Sequence, residues 1–381
     1  MIHDNKMVLL STLFSGYNYG SSLQTYATKL LIENLGYNCQ LVARTTTFKG
    51  RDFRWGKLFA ILSRTISTMN LKTLTAYRDS LQKVPVGDSV SKFLDFEKTY
   101  LHPLRLSWND LKKLSGSAIA CVAGSDQLWD TTTLYIDPLY YLRYAPNNKK
   151  ISFSTSMGRD FVPNYNKKKL RKWINDFMFI SVREDSGVRL VNELCGRSAT
   201  QLLDPTLLID GCVWRNLVKC DNKRYNKYIL AYFLDPPSGR ATEIIEKLSL
   251  ELECDVIAIP YLHDNMSYAT KCASAGPIDF ISLVDNAECV LTDSFHGTAF
   301  SINLHTRFYT FDRQCKTAPS QNTRLTSLLN KVGLLEHYEP RENHVNNKFI
   351  DFAYVDCVLR REREIAESYL KSAIETVSCG G

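Results

Sequence analysis

The chain has 381 residues, 44% of them apolar and 11% aromatic, which exceeds the roughly 250 to 300 residues at which a single hydrophobic core stops growing, so two domains are expected. The net charge of +7 is concentrated rather than general. Between positions 49 and 83, Lys49, Arg51, Arg54, Lys57, Arg64, Lys72, Arg78 and Lys83 stand against only Asp52 and Asp79. With Phe53, Trp55, Leu58, Phe59, Ile61 and Leu62 interleaved, this segment reads as a solvated connector helix or as a helix lying on an anionic membrane surface. No recognition motif accompanies the charge, so nucleic acid is not an expected partner.

The start, Met1 to Lys6, lacks the apolar core of a secretory signal, and no window reaches the roughly 18 uninterrupted apolar residues of a membrane span. A cytoplasmic protein is expected, at most peripheral at the inner face of the membrane. The eleven cysteines include no C-x-x-C pair. In a reducing compartment they read as small core hydrophobes, Cys121, Cys254 and Cys289 among them, with neither a disulfide framework nor a structural zinc site.

In chain order, Met7 to Phe14 is a compact apolar run, followed by the turn Ser15 to Gly20 and a helical spacing of apolar residues from Ser21 to Gly36. Strand, glycine loop and helix bring backbone N–H groups to a helix N-terminus, where an anion is favoured. The loop lacks the dinucleotide spacing G-x-G-x-x-G, so no NAD is inferred. Asn18 and Gln24 are candidate ligand contacts, although an Asn in a turn also serves unusual backbone angles. Asn38 to Ala43 reads as a second strand, and a helix is expected near Ser89 to Tyr100. A strand over Ser117 to Ala123 ends in Gly124-Ser125-Asp126-Gln127-Leu128-Trp129. Asp126 there is well sited to accept a hydroxyl proton or hydrogen bond, while capping and turn formation by Ser125 and Asp126 is the competing reading.

Lys150 to Ser156 alternates apolar and hydroxyl residues as a strand, and Lys167 to Lys172 reads as the wet face of a helix. Phe177 to Val182 is another strand, with Arg183 just beyond it, placed to grip a carboxylate or phosphate or to pair with Glu184 or Asp185. Asp204-Pro205 reads as a turn, and 210 to 226 as the interdomain crossing. Strand and helix then alternate again: Tyr228 to Phe233, a helix through Leu250, Cys254 to Ile259, a helix from Pro277 to Val284, and a buried strand through the apolar run Ala287 to Val290 into Leu291-Thr292. That strand delivers Ser294-Phe295-His296-Gly297. Phe308 to Phe311, a helix near Thr323 to Val332 and a long charged helix from about Phe349 to Val377 complete the chain. Alternation in both halves predicts an α/β protein with two Rossmann-like, doubly wound domains facing across a cleft: 1–215 carrying the basic insertion at about 45–85, 216–345, and a helix at 346–381 packing back on the first domain. Ligands in such sheets bind beyond the carboxyl ends of strands, which is where Gln127, Arg183 and His296 fall.

These residues, taken together, resemble the polysaccharide pyruvyl transferases. The matching stretches are Asn18-Tyr19-Gly20 with Leu23-Gln24, Gly124 to Trp129, Ser181-Val182-Arg183-Glu184, Asp204-Pro205-Thr206-Leu207, Gly276-Pro277 with Phe280, and Thr292 with Ser294 to Gly297. They recur in order over roughly 7 to 332. The resemblance implies a fold like that of the GT-B glycosyltransferases and transfer of pyruvate from phosphoenolpyruvate to a hexose, galactose first among the candidates. The product it implies is a cyclic ketal in a bacterial capsular or exopolysaccharide repeat unit, with an undecaprenyl-linked glycan as the expected acceptor.

It implies His296 and Asp126 as catalytic groups, since imidazole, with an ordinary pKa near 6.5, exchanges protons around neutrality. Arg183, Asn18, Gly20, Gln24, Ser125, Gln127, Ser294 and Gly297 are the implied substrate contacts. Neither metal nor cofactor is called for; phosphoenolpyruvate is the donor substrate. Some relatives have Arg-Leu-His where this chain has Ser294-Phe295-His296, so another cation must replace that arginine, with Arg159, Arg307 and Arg324 as candidates. Two other readings stay open: a nucleotide-sugar glycosyltransferase of GT-B architecture, and a non-catalytic subunit of polysaccharide assembly.

Overall fold

The computed structural model describes residues 6–45, 58–59, 62–63, 65–66, 87–218, 225–260, 266–314, 323–341, 345 and 350–379. Most of the basic segment from 49 to 83, Trp55 included, lies outside the described residues.

The first half builds strands β1 (Met7–Ser11), β2 (Asn38–Arg44), β3 (Leu104–Leu106), β4 (Ala120–Ala123) and β5 (Lys150–Ser152), with the short pair β6 (Ser181–Val182) and β7 (Thr200–Gln201). The first five form one parallel sheet in the order β3-β2-β1-β4-β5. Single bridges from Ile151 to Phe179 and from Thr155 to Val182 continue it toward β6. The second half repeats the arrangement with β8 (Tyr228–Tyr232), β9 (Asp255–Ala258), β10 (Lys271–Cys272), β11 (Cys289–Thr292) and β12 (Phe308–Thr310). These are again all parallel, in the order β10-β9-β8-β11-β12. Each sheet therefore runs 3-2-1-4-5 in its own numbering, the doubly wound order whose switch point lies between its first and fourth strands. The runs Val-Leu-Leu in β1, Ala-Cys-Val-Ala in β4 and Cys-Val-Leu-Thr in β11 are buried throughout because helices cover both faces of a parallel sheet.

The helices are α1 (Tyr19–Asn34), α2 (Ser89–Phe96), α3 (Trp108–Ser117), α4 (Asn164–Ile174), α5 (Asp185–Cys195), α6 (Pro205–Leu208), α7 (Gly211–Leu217), α8 (Gly239–Leu252), α9 (Pro277–Asp285), α10 (Phe295–Asn303), α11 (Thr323–Lys331) and α12 (Phe352–Cys379). In α4 the lysines at 167, 168 and 172 are exposed while Leu170 and Ile174 are buried, so this cluster is a wet face. Among the described residues no helix is long and apolar enough to cross a membrane.

The two sheets share one apolar core. Tyr19, the first residue of α1, stacks on Phe280 of α9 at 4.9 Å, meets Tyr232 of β8 edge-on, and donates its hydroxyl to Ala275 O at 3.0 Å. Trp214 of α7 touches Tyr26 of α1 on one side and Phe300 of α10 on the other. The helix α12 returns to the first sheet, where Tyr369 donates to Ser152 O at 3.0 Å, and its Arg363 ties Asp210 to Asn303.

Several expected boundaries shift. The expected strand at Ser117 to Ala123 begins only at Ala120, because 108–117 is the helix α3, capped by Ser107 and carrying just Leu111 and Ser115 as buried residues. That sparse apolar face gave little periodicity to read. Asp204-Pro205, expected as a turn, instead opens α6, with Asp204 accepting from Thr206 N and Pro205 in the first turn, where its missing N–H costs nothing. The crossing at 210 to 226 contains α7, anchored by the fully buried Trp214.

Candidate functional site

The loops beyond the switch points of the two sheets meet. From the first sheet come the loop after β1, leading into α1, and the loop after β4 with Gly124 to Gln127. From the second come the loop after β11 and the first turn of α10, with Asp293 to His296. The expected cleft is nearly closed here: Asp126 is 7% exposed, Arg183 4%, His296 8% and Arg324 9%.

Asp204 is the fixed point. Fully buried, it accepts from Thr206 N and Oγ1 through Oδ1, and from Ser125 Oγ at 3.1 Å and the Arg183 guanidinium through Oδ2. Nε2 of His296 lies 3.6 Å from the same Oδ2, beyond hydrogen-bond distance, and has no partner of its own. Burial alone would raise the Asp204 pKa, but the charge of Arg183, with His296 and Thr206 behind it, holds the carboxyl well below the usual range. Asp204 is thus an anion that orients a guanidinium and faces an imidazole.

Arg183 has further donors, Nε and Nη2, buried without partners. Its guanidinium lies over the ring of Phe295 at 4.3 Å, and that of Arg324, from the first turn of α11, lies 5.8 Å from the same ring. Burial lowers the Arg324 pKa to about 10, and repulsion by Arg183 adds to this, while Glu184 and Asp126 oppose it. A guanidinium remains charged at such a value. Two buried cations on one aromatic shelf make an anion-seeking corner.

Asp126 adopts a left-handed conformation, φ 77°, uncommon outside glycine and found where surrounding structure holds it. Its Oδ2 accepts from Ser21 Oγ at 2.5 Å and its Oδ1 from Gln127 N at 2.8 Å. It therefore already accepts one hydroxyl, that of Ser21 across the sheet's switch point.

The other expected contacts support the site from behind. Asn18 has ordinary extended angles and caps α1 by accepting from Ser21 N; the left-handed turn residues are Gly16 and Tyr17. Gln24 is fully buried, and its amide nitrogen, with two N–H groups to give, is surrounded at 2.9 to 3.0 Å by Thr12 Oγ1, Leu13 O, Ser21 O and Thr25 Oγ1. Ser125 is fully buried on Asp204. Ser294 caps α10 by accepting from Gly297 N at 3.3 Å. The two glycines provide close approach rather than ligand contact: a Cβ on Gly297 would lie 2.5 Å from Thr292 Oγ1, and one on Gly20 1.9 Å from His296 Nδ1. The α1 backbone thus seats the His296 ring. Of the three candidate cations, Arg307 donates to Tyr309 Oη and Val345 O at the edge strand β12, Arg159 is buried one residue beyond Gly158, and Arg324 joins Arg183 at Phe295.

Asp204, Ser21, Phe295 and Glu184 were not singled out as site residues by sequence. Asp204 and Glu184 sit inside quoted motifs, so the Asp-Pro-Thr-Leu and Val-Arg-Glu stretches carried the signal. Among the described residues no group of three His, Cys, Asp or Glu could hold a metal ion.

Two facing doubly wound parallel sheets with polar loops meeting at both switch points define the GT-B type of architecture. The family model for polysaccharide pyruvyl transferases matches residues 18–314, and the chain belongs to that family. It is accordingly a transferase of polysaccharide biosynthesis, and its class of reaction is pyruvyl transfer. No curated protein matches the chain. Among solved structures, a UDP-GlcNAc 2-epimerase of Methanocaldococcus jannaschii aligns over 93% of this chain and 98% of its own, at 10% identity and a TM-score of 0.47. The corresponding enzyme of Neisseria meningitidis aligns over 97% of each chain at 8% identity and 0.46. An O-GlcNAc transferase of Thermobaculum terrenum matches 96% of this chain, at 11% identity and 0.37; this chain spans 63% of that protein's length. The fold assignment rests on the sheet orders and not on these distant matches.

Two substitutions test the site's construction. Asp204→Asn leaves Arg183 buried without its anion, at a cost of about 3 to 5 kcal/mol at neutral pH. Because the folded-state pKa of Asp204 is depressed, its stabilisation is present above the unfolded value near 4 and is lost as pH falls below it. The stability gap between wild type and variant, measured by denaturant unfolding, should therefore narrow on acidification below about pH 4; a gap independent of pH would refute the assignment. Gly20→Ala should displace the His296 ring and remove activity while lowering the unfolding free energy by only about 1 to 3 kcal/mol. Full activity in that variant would show that the seat is not needed.

Proposed function

We propose that this chain transfers the pyruvyl group of phosphoenolpyruvate onto two hydroxyls of a hexose, galactose being the first candidate, as a cyclic ketal. The observation that carries the reading is the convergence of an unpartnered imidazole nitrogen, His296 Nε2, with two buried guanidinia on the Phe295 shelf. Phosphoenolpyruvate presents a phosphate and a carboxylate, for which Arg183 and Arg324 are suited binders.

The chemistry runs as follows. A proton added to the methylene carbon leaves an oxygen-stabilised cation at C2, to which one sugar hydroxyl oxygen bonds as it loses its proton. The C2–O bond to phosphate then breaks, the second hydroxyl oxygen bonds to C2 and loses its proton, and inorganic phosphate departs. His296 is assigned the proton transfers and Asp126, with Ser21, the acceptance of a hydroxyl proton. The missing arginine at Ser294 is replaced, in this reading, by Arg324 from α11.

Phosphate release from phosphoenolpyruvate should require a galactoside acceptor and should fall by about 10²- to 10⁴-fold in His296→Ala. Phosphoenolpyruvate, and not UDP-GlcNAc, should raise the unfolding temperature, since only a ligand of the native site stabilises it. Stabilisation by the nucleotide sugar alone would favour a glycosyltransferase instead.

We further place the acceptor on a lipid carrier at a membrane face. Phe59 and Ile66 are each 75% exposed and Leu62 41%, in the segment whose sequence is basic. Co-sedimentation with vesicles containing anionic lipid should be lost in Phe59→Ser/Ile66→Ser; equal binding by wild type and variant would remove the membrane from the proposal.

A further inference from the structure

Next to the groups assigned to the donor is a second pair of atoms that the proposed chemistry leaves unused. Glu184 is 1% exposed. Its Oε1 accepts from Met157 N at 2.6 Å and from Gly158 N and Ser156 Oγ at 3.2 Å, which fixes the carboxylate rigidly. Its Oε2 is buried with no partner at all. Nε2 of Gln127 is likewise buried and unpartnered. Both groups border Gly158: the Gly158 N–H donates to Glu184, and a Cβ on Gly158 would stand 2.8 Å from Gln127 Nε2. Gly158 has φ 67°, so the turn and the close approach both call for glycine.

A buried acceptor and a buried donor, each unsatisfied and each costly to leave so, border one glycine turn. Their chain neighbours Asp126 and Arg183 belong to the site, and Glu184 and Asp126 both act on the charge of Arg324. A hydroxyl satisfies both at once, since it accepts from an amide and donates to a carboxylate, and a sugar hydroxyl does so by displacing the water that would otherwise fill the place.

We propose that Gln127 Nε2 and Glu184 Oε2 form the hydroxyl-binding pair of the acceptor subsite, the element that recognises a polyhydroxylated ring rather than an anion. This rests on the reading of the site as a pyruvyl transferase. The pair holds one sugar hydroxyl in place beside the donor corner.

The test exchanges the two polarities. Glu184→Gln keeps Oε1 for its three donors and changes only the orphan atom from acceptor to donor; Gln127→Glu does the reverse. Either single change leaves a hydroxyl facing two like groups, whereas the double exchange restores one donor and one acceptor. Binding of methyl β-D-galactopyranoside and its monodeoxy analogues to the full chain is followed by saturation-transfer NMR. The sugar should bind wild type, lose affinity on the order of tenfold in each single variant, and recover to within a few-fold in the double variant. One monodeoxy analogue should bind wild type and Glu184→Gln equally well. Absence of sugar binding to wild type, unchanged affinity in the single variants, or a double variant no better than the worse single one would each overturn the assignment. Sugar binding in the expected pattern without phosphate release from phosphoenolpyruvate would refute pyruvyl transfer and leave the hydroxyl pair standing.

Discussion

The structure around the site depends on one buried carboxylate. Asp204 stands at the start of a one-turn helix that touches both halves of the molecule, and it has four donors from the first half. Through Arg183 it fixes a cation from the first sheet, and it faces His296 from the second. A charge in this position is costly to desolvate and becomes tolerable only through this complete set of partners, which makes the local arrangement all or nothing. The consequence is that the histidine, the arginine and the serine beside Asp126 cannot be repositioned independently.

The second organising fact is the duplication of sheet order. Because both sheets wind 3-2-1-4-5, both place their switch points at the same relative position, and the molecule brings those positions face to face. The loop after β11 and the first turn of α10 then supply an imidazole and an aromatic shelf, while the loops after β1 and β4 supply a helix start, a hydroxyl and a strained aspartate. The Tyr19, Tyr232 and Phe280 cluster locks this register at the first turn of α1, the turn that seats His296 at Gly20.

Much of the fold could be read from the chain because parallel strands buried on both faces are short unbroken apolar runs, as at Val8 to Leu10 and Cys289 to Leu291. Elements with thin apolar faces, such as 108–117, and those defined by a single capping residue, such as 205–208, have no periodicity to betray them. His296, Arg183, Asp126 and Gln127 were legible since polar residues that follow a buried strand fall at a sheet's carboxyl edge. The partners were not. Asp204 lies 79 residues from Ser125 and 92 from His296 in the numbering, and only folding makes it their neighbour. The supporting roles of Asn18, Gln24, Ser125 and Ser294 were equally hidden, because a capping or buried amide and a ligand-binding one look alike in sequence. Gly20 and Gly297 illustrate the same limit: a glycine near a site can be there for a neighbour's side chain instead of a substrate.

The near closure of the site bears on a competition between two nucleophiles. Water and a sugar hydroxyl are oxygen nucleophiles of similar intrinsic strength, so an activated pyruvyl carbon exposed to solvent would be hydrolysed before any polysaccharide found it. His296, Arg183 and Asp126 are each less than a tenth exposed, and under the proposed reaction such burial favours a hydroxyl already held in the site over bulk water.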